Sequence, residues 1–492
     1  MPPTPSLRQV ALSGARWTAL ARLVAEASTL AAAVVLARLI PPADFGRAAI
    51  ALIVVALAAV LGTAGLVAPL VQRRELHQRH IASAAFLALV GSTIMVGLTA
   101  GFGNFAAPAI FGDETGELIV LASLAWLLVG VGAASQALLQ RELRFRRQAL
   151  IEGVAVIAGV GVSLGSALAG LDGAALVAGA LTTLGCTGIL SLLSAPPGLP
   201  IPARREVWDI CRFAAPVAGS SLAYLGYRNV DYAILGAQAN PAQVGFYWRA
   251  FQLGVGYQSK ISRVMLRISL PLYSRADGPE ELRRMRMRIV RTHATVLIPL
   301  LALFIGVAPV LVPWLFGATW EPTVLPAQIL AVAGMADAVM TGSGPLMVAI
   351  GRPGVLMAWN LVQLVLYALL VLILAPHGIT VLAIGVATFG LANAAGVQGF
   401  LLRRYLGLSF RHVWLDVSAG IATGAAVLVA LTLLRGALDE LELPDPVMIV
   451  LLCLTALGVG GAVLRLLFRP EWEDVAAIVR RSDPVAEPPL DL

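Results

Sequence analysis

Segments of about 20 apolar residues recur along the whole chain, each near the length that a bilayer-spanning helix needs. Of the 492 residues only 13% are charged, and the mean hydropathy is +0.85. A soluble globular chain has about 25% charged residues, so this chain cannot cover a water-facing surface. An all-α integral membrane protein follows. Helices are expected over residues 14–39, 45–71 and 81–102, with a fourth ending near Gln140. A tight pair surrounds Gly170-Leu171-Asp172-Gly173, and 211–235, 244–272, 292–316 and 324–350 follow. A pair flanks His377-Gly378, one more ends near Leu434, and the last covers 447–467. That is about fourteen transmembrane helices.

The loops set the topology. Every second one is rich in Arg: 73–79, 141–147, 204–212, 275–291, 352 and 403–411. The intervening loops are neutral or acidic, with Asp113, Glu114, Asp172, Glu321, Asp439, Glu440, Glu442 and Asp445. Positive residues stay on the cytoplasmic side, so both termini are expected there. No segment between helices is large enough for a separate folded domain. The expected organisation is an N-terminal six-helix bundle (1–200) and a C-terminal one (201–405), then two additional helices (406–468) and a cytoplasmic tail (469–492). The polar, Pro-rich tail is expected to be loosely ordered. Pro42-Ala43-Asp44-Phe45-Gly46 matches Pro241-Ala242-Gln243-Val244-Gly245. The match sits at the same hairpin of each half, which points to bundles repeated around a pseudo-two-fold axis along the membrane normal.

Charges at membrane depth are costly and usually face a protein or water-filled interior. Arg22 and Glu26 form an i,i+4 pair, and Arg228 and Asp231 share a helix face at i,i+3. Arg47, Arg249 and Lys260, the only lysine, add positive charge, and Asp337 stands in an apolar run. Structural readings stand beside functional ones. Arg22–Glu26 also suits an interhelical ion pair, Arg47 a snorkelling position at the outer mouth, and Asp337 a hydrogen bond to a neighbouring helix. Trp17, Trp320, Trp359 and Trp414 fall near expected interfaces and read as an aromatic belt. The Gly-rich stretch 159–170 suggests close helix packing. Cys186, Cys211 and Cys453 are far apart in apolar segments, with neither disulfide nor metal spacing. No phosphate-binding loop, metal cluster or nucleophile–base arrangement is present, so neither cofactor nor enzyme chemistry is expected. The net charge of +7 belongs to topology rather than to nucleic-acid binding.

Three stretches, VLARLIPPADFGRAAIAL, QRELRFRRQA and RNVDYAILG with VGFYWRAFQL, resemble the polysaccharide-exporting flippases of the multidrug/oligosaccharidyl-lipid/polysaccharide superfamily. The resemblance implies two six-helix bundles around a V-shaped central cavity. It also implies a function: translocating undecaprenyl-pyrophosphate-linked oligosaccharide repeat units across the bacterial inner membrane by alternating access. Such a cargo is anionic, and Arg suits phosphate because its planar fork bonds two oxygens and stays protonated. Arg22, Arg47, Arg228, Arg249 and Lys260 are then the expected substrate-binding residues, with Glu26, Asp231 and Asp337 in coupling or charge-balancing roles. A polysaccharide polymerase and a chain-length regulator are the implied protein partners of a monomer. A peptidoglycan-precursor flippase and a drug or cation exporter of the same superfamily are the competing readings. A membrane polymerase or ligase is a third, disfavoured by the lack of a large outer loop.

Overall fold

The computed structural model describes residues 24–62, 67–73, 75–256, 258–259, 262, 269, 273, 276–441 and 443–480. Arg22, Lys260 and Trp17 lie outside them. The described residues are mostly helical, with no strand among them, and the chain falls into two compact units, Met1–Gly245 and Phe246–Leu492.

The first unit contains α1 (24–39), α2 (Pro42–Gly62), α3 (Gln78–Phe105), α4 (Asp113–Arg141), α5 (Phe145–Leu168), α6 (Asp172–Ser194) and α7 (Arg204–Gln238). It also holds the start of α8 (Pro241–Phe251), which runs on as a π-turn over Gln252–Gly256. The second unit contains α9 (Pro279–Phe316), α10 (Val324–Met340), α11 (Pro353–Leu374), α12 (Ile379–Gly396), α13 (Phe410–Leu438), α14 (Asp445–Leu467) and α15 (Arg469–Arg480). Eleven helices among the described residues are long and apolar enough to cross a membrane. α7 has the length, at 35 residues, but carries Arg204, Arg205, Glu206, Asp209, Arg212, Arg228 and Asp231 and is not among the eleven.

Small residues let the helices approach. α5 and α6 pack along each other, and a Cβ added to Gly159 would lie 2.6 Å from the Gly179 carbonyl. The hairpin between them turns at Gly170, whose φ of +80° a side chain rarely tolerates. The two Pro-Ala-x-x-Gly motifs cross inside the first unit. A Cβ on Gly46 would meet the Pro241 carbonyl and lie 2.9 Å from the Gly245 nitrogen. A Cβ on Gly245 would in turn meet the Pro42 carbonyl and lie 3.2 Å from the Gly46 nitrogen. The repeated glycine therefore does the same job twice, admitting the other motif's backbone.

Three expectations need correction. The helix expected over 292–316 begins earlier: α9 starts at Pro279. Gly278, Pro279 at the first helical position and Glu280-Glu281 in the first turn form a helix start, since Pro lacks the N–H that is orphaned there and acids favour the dipole. Arg283, Arg284, Arg286, Arg288 and Arg291 are therefore helical rather than loop residues. The tail is not wholly irregular: α15 forms from its beginning, with Glu471 and Trp472 against the rest of the unit. Trp320 is no belt residue, because it is 1% exposed and packs edge-on against Phe246.

Candidate functional site

In the first unit, α2 carries Asp44 and Arg47 one turn apart. The Arg47 guanidinium reaches Asp44 Oδ1 at 2.8 Å and Glu114 Oε2, at the start of α4, at 2.6 Å. Arg47 is thus held by two carboxylates. On α7, Asp231 is fully buried and its Oδ1 accepts the Tyr232 N–H at 3.0 Å. Arg228 lies one turn earlier and is half-buried. Glu26, on α1, is exposed. Arg141, the last residue of α4, is a structural tie: its Nη1 donates to the carbonyls of Leu70 at 3.0 Å and Arg73 at 2.6 Å. Cations favour the carbonyl end of a helix, here the short Ala68–Gln72.

In the second unit, Arg249 is 3% exposed and its guanidinium carbon lies 5.3 Å from the Trp248 ring, 4.7 Å from Phe316 and 5.2 Å from Trp320. Asp337 on α10 belongs to a buried polar chain. Gln258 donates to Asp337 Oδ2 at 3.3 Å and to the Gly334 carbonyl at 3.1 Å. Ser262 donates to Gln258 Oε1 at 3.1 Å and lies 3.2 Å from His293 Nε2. Gly334 has no side chain because Gln258 and the Gly254 carbonyl fill that space.

Sequence reasoning overlooked a second polar cluster. Arg286 is fully buried on α9; its Nη2 donates to the Val339 carbonyl at 3.2 Å, Ser343 Oγ at 3.3 Å and Gln398 Oε1 at 3.3 Å. Arg291, five residues on, reaches Asp416 Oδ1 on α13 at 3.1 Å and Glu471 Oε1 on α15 at 3.7 Å. Asp416 is 2% exposed. The signal available was Asp416 itself, a lone acid within a helix-length apolar run. Among the described residues no group of three or more His, Cys, Asp and Glu side chains gathers to hold a metal.

Both units thus hold charges inside apolar helices, as expected of a membrane transporter, and known structures of that class share the fold. The chain is similar to the lipid II flippase MurJ in an inward closed conformation, with a TM-score of 0.69 at 12% identity, over 92% of this chain and 99% of that one. It is also similar to an inward-facing multidrug resistance MATE family transporter, with a TM-score of 0.60 at 16% identity, over 80% of this chain and 95% of that one. Residues 35–325, more than half of the chain, match a family described as polysaccharide biosynthesis protein, and the chain belongs to that family. It is 26% identical to the lipopolysaccharide biosynthesis protein WzxC of Escherichia coli, over 74% of each chain. It is 24% identical to the succinoglycan biosynthesis transport protein ExoT of Rhizobium meliloti, over 67% of each. It is 22% identical to the teichuronic acid biosynthesis protein TuaB of Bacillus subtilis, over 74% of this chain and 76% of that one.

Proposed function

We propose that this protein is a flippase that carries an undecaprenyl-pyrophosphate-linked oligosaccharide from the inner to the outer leaflet of the bacterial inner membrane for polysaccharide export. The reading rests on the family match, which runs through residues 35–325 and so into both compact units. The names of WzxC, TuaB and ExoT all concern polysaccharide biosynthesis, and ExoT's also concerns transport. The fold alone does not separate this cargo from a peptidoglycan precursor or a drug, because MurJ and MATE share it; the family match favours the glycan. Both termini are assigned to the cytoplasm by the alternation of Arg-rich loops. The chain is assigned a monomeric state, a purely transporting and non-enzymatic role, and a polysaccharide polymerase and chain-length regulator as working partners.

The pyrophosphate needs a cation that can meet it. Arg228 is our first candidate: it is half-buried, with Asp231 one turn on to offset its charge. Arg249 is the second, in a state that opens its aromatic cage. Arg47 is assigned a structural role because two carboxylates hold it. Arg22 and Lys260 complete the cationic set. Glu26 and Asp337 are assigned to charge balance or coupling. The test is flipping of a fluorescent undecaprenyl-pyrophosphate oligosaccharide in reconstituted vesicles, wild type against Arg228→Ala. Flipping by wild type that the folded variant loses supports the reading. No flipping by wild type, with uptake of an organic cation instead, overturns it.

A further inference from the structure

Two arginines and two carboxylates sit at the junction of α9, α13 and α15, and their charges are unevenly shared. Arg291 has both acids: Asp416 at 3.1 Å and Glu471 at 3.7 Å. Arg286 has none within ion-pair distance among the described residues, although it is the more buried of the two. Its Nη2 is satisfied by neutral oxygens, while Nε and Nη1 have no hydrogen-bond partner among the described residues. Asp416 mirrors this: Oδ1 accepts from Arg291, and Oδ2 is buried without a partner. Each interacts electrostatically with the other. A buried guanidinium without a carboxylate at ion-pair distance is costly, so closer approach of Asp416 to Arg286 is favoured.

The helix packing states how that sharing would be reached. Gly420 of α13 abuts the Ala294 carbonyl of α9, where a Cβ would lie at 2.5 Å, and Gly424 abuts Ile298, at 3.0 Å from its Cγ2. Both pairs have the same offset, so α9 and α13 run parallel and in register, with Asp416 level with Val290 and Arg291. Arg286 lies one turn below, on the same i,i+4 ridge as Val290, Ala294 and Ile298. A slip of α13 by one turn, about 5.4 Å, brings Asp416 to the level of Arg286. It also sets Gly420 against Val290 and Gly424 against Ala294, so a glycine again faces α9 at both points. One-turn ratchets of this kind are an established mode of helix switching. Arg291 is not abandoned by the slip, because Glu471 remains beside it. Two of the three acceptors of Arg286 sit at irregular backbone: Gln398 lies in the π-turn Val397–Leu402, and Ser343 follows the break at Gly342, whose φ is +79°.

We propose that Asp416 exchanges partners, from Arg291 to Arg286, through a one-turn slip of α13 along α9 during the transport cycle. This rests on the transporter reading above. The test is disulfide trapping in membranes, with Cys186, Cys211 and Cys453 replaced by Ser. Val290→Cys with Val417→Cys traps the observed register, since both belong to one buried cluster. Met287→Cys with Val417→Cys traps the slipped one. In the observed register the latter pair is offset by about one turn, ~5.4 Å along the axis, relative to a facing pair across the same interface, which disfavours its disulfide. Both pairs are expected to form on oxidation. Adding Arg286→Gln is expected to cut the slipped pair at least about tenfold, because the buried ion pair that holds it is lost, and to leave the Val290/Val417 pair intact as evidence of folding. Formation of the Val290/Val417 pair alone, or a slipped pair indifferent to Arg286→Gln, would overturn the exchange. Flipping measured on the same vesicles separates the two ideas: flipping without slip refutes only the exchange, and wild type that flips nothing refutes the function.

Discussion

Arg47 and Arg249 follow the two copies of one motif, yet they are housed in opposite ways. Arg47 keeps a quarter of its side chain exposed and bonds two carboxylates, one of them, Glu114, 69% exposed. Arg249 is sealed from solvent by the rings of Trp248, Phe316 and Trp320. Surface ion pairs are worth about 0–1 kcal/mol, whereas a desolvated cation over an aromatic face gains about 2 kcal/mol or more. The repeat therefore preserves a backbone crossing, at Gly46 and Gly245, but not the chemistry of the arginine that comes after it. The backbone role of the motif and the chemistry of the arginine that comes after it are separable in this chain.

The crossing is where the comparison breaks most completely. Gly46→Val or Gly245→Val puts a side chain onto a backbone carbonyl that has no flexible end to move. Either is expected to destabilise by several kcal/mol and to abolish the folded, monodisperse fraction in detergent. A folded Gly245→Val protein would show that the two motifs do not need to touch. Next in size is a conservative exchange. Arg249→Lys replaces a planar cation stacked among three rings with a compact ammonium and is expected to lower the thermal unfolding midpoint clearly. Arg47→Lys retains a point charge beside two acids and is expected to shift it little. Equal shifts would erase the distinction. The smallest effect is ionic. Raising salt from about 0.1 to 1 M shortens the Debye length from about 10 to about 3 Å. The stability difference between wild type and Arg47→Ala should shrink in thermal melts, while that between wild type and Arg249→Ala should not move.

The helices were legible because apolar runs of bilayer length have no other comfortable reading, and the α5–α6 turn was legible from Gly170 and Asp172. The start of α9 was not read correctly: five arginines looked like a cytoplasmic loop, and their charge masked the Gly278-Pro279-Glu280-Glu281 start. Trp320 was misplaced for a related reason, since position near a helix end says nothing of whether a neighbour such as Arg249 covers the ring. Of the site, the single-helix pair Arg228/Asp231 was visible from spacing. The Gln258–Asp337 contact, 79 residues apart, and the Arg291–Asp416 pair, 125 apart, depend on which helices are neighbours. One sequence does not encode that adjacency in any local pattern.

α11 presents Met357, Leu361, Val365, Leu369 and Ile373 to its surroundings, each 46–64% exposed, and little of the helix is covered by the rest of its unit. At 22 residues it is about 33 Å long, close to the thickness of a hydrocarbon core. Once extracted, this flank must be coated along its full height by surfactant. Small, short-chain micelles would leave part of it bare and invite colloidal association, so long-chain detergents or lipid discs are the natural medium for every experiment named above.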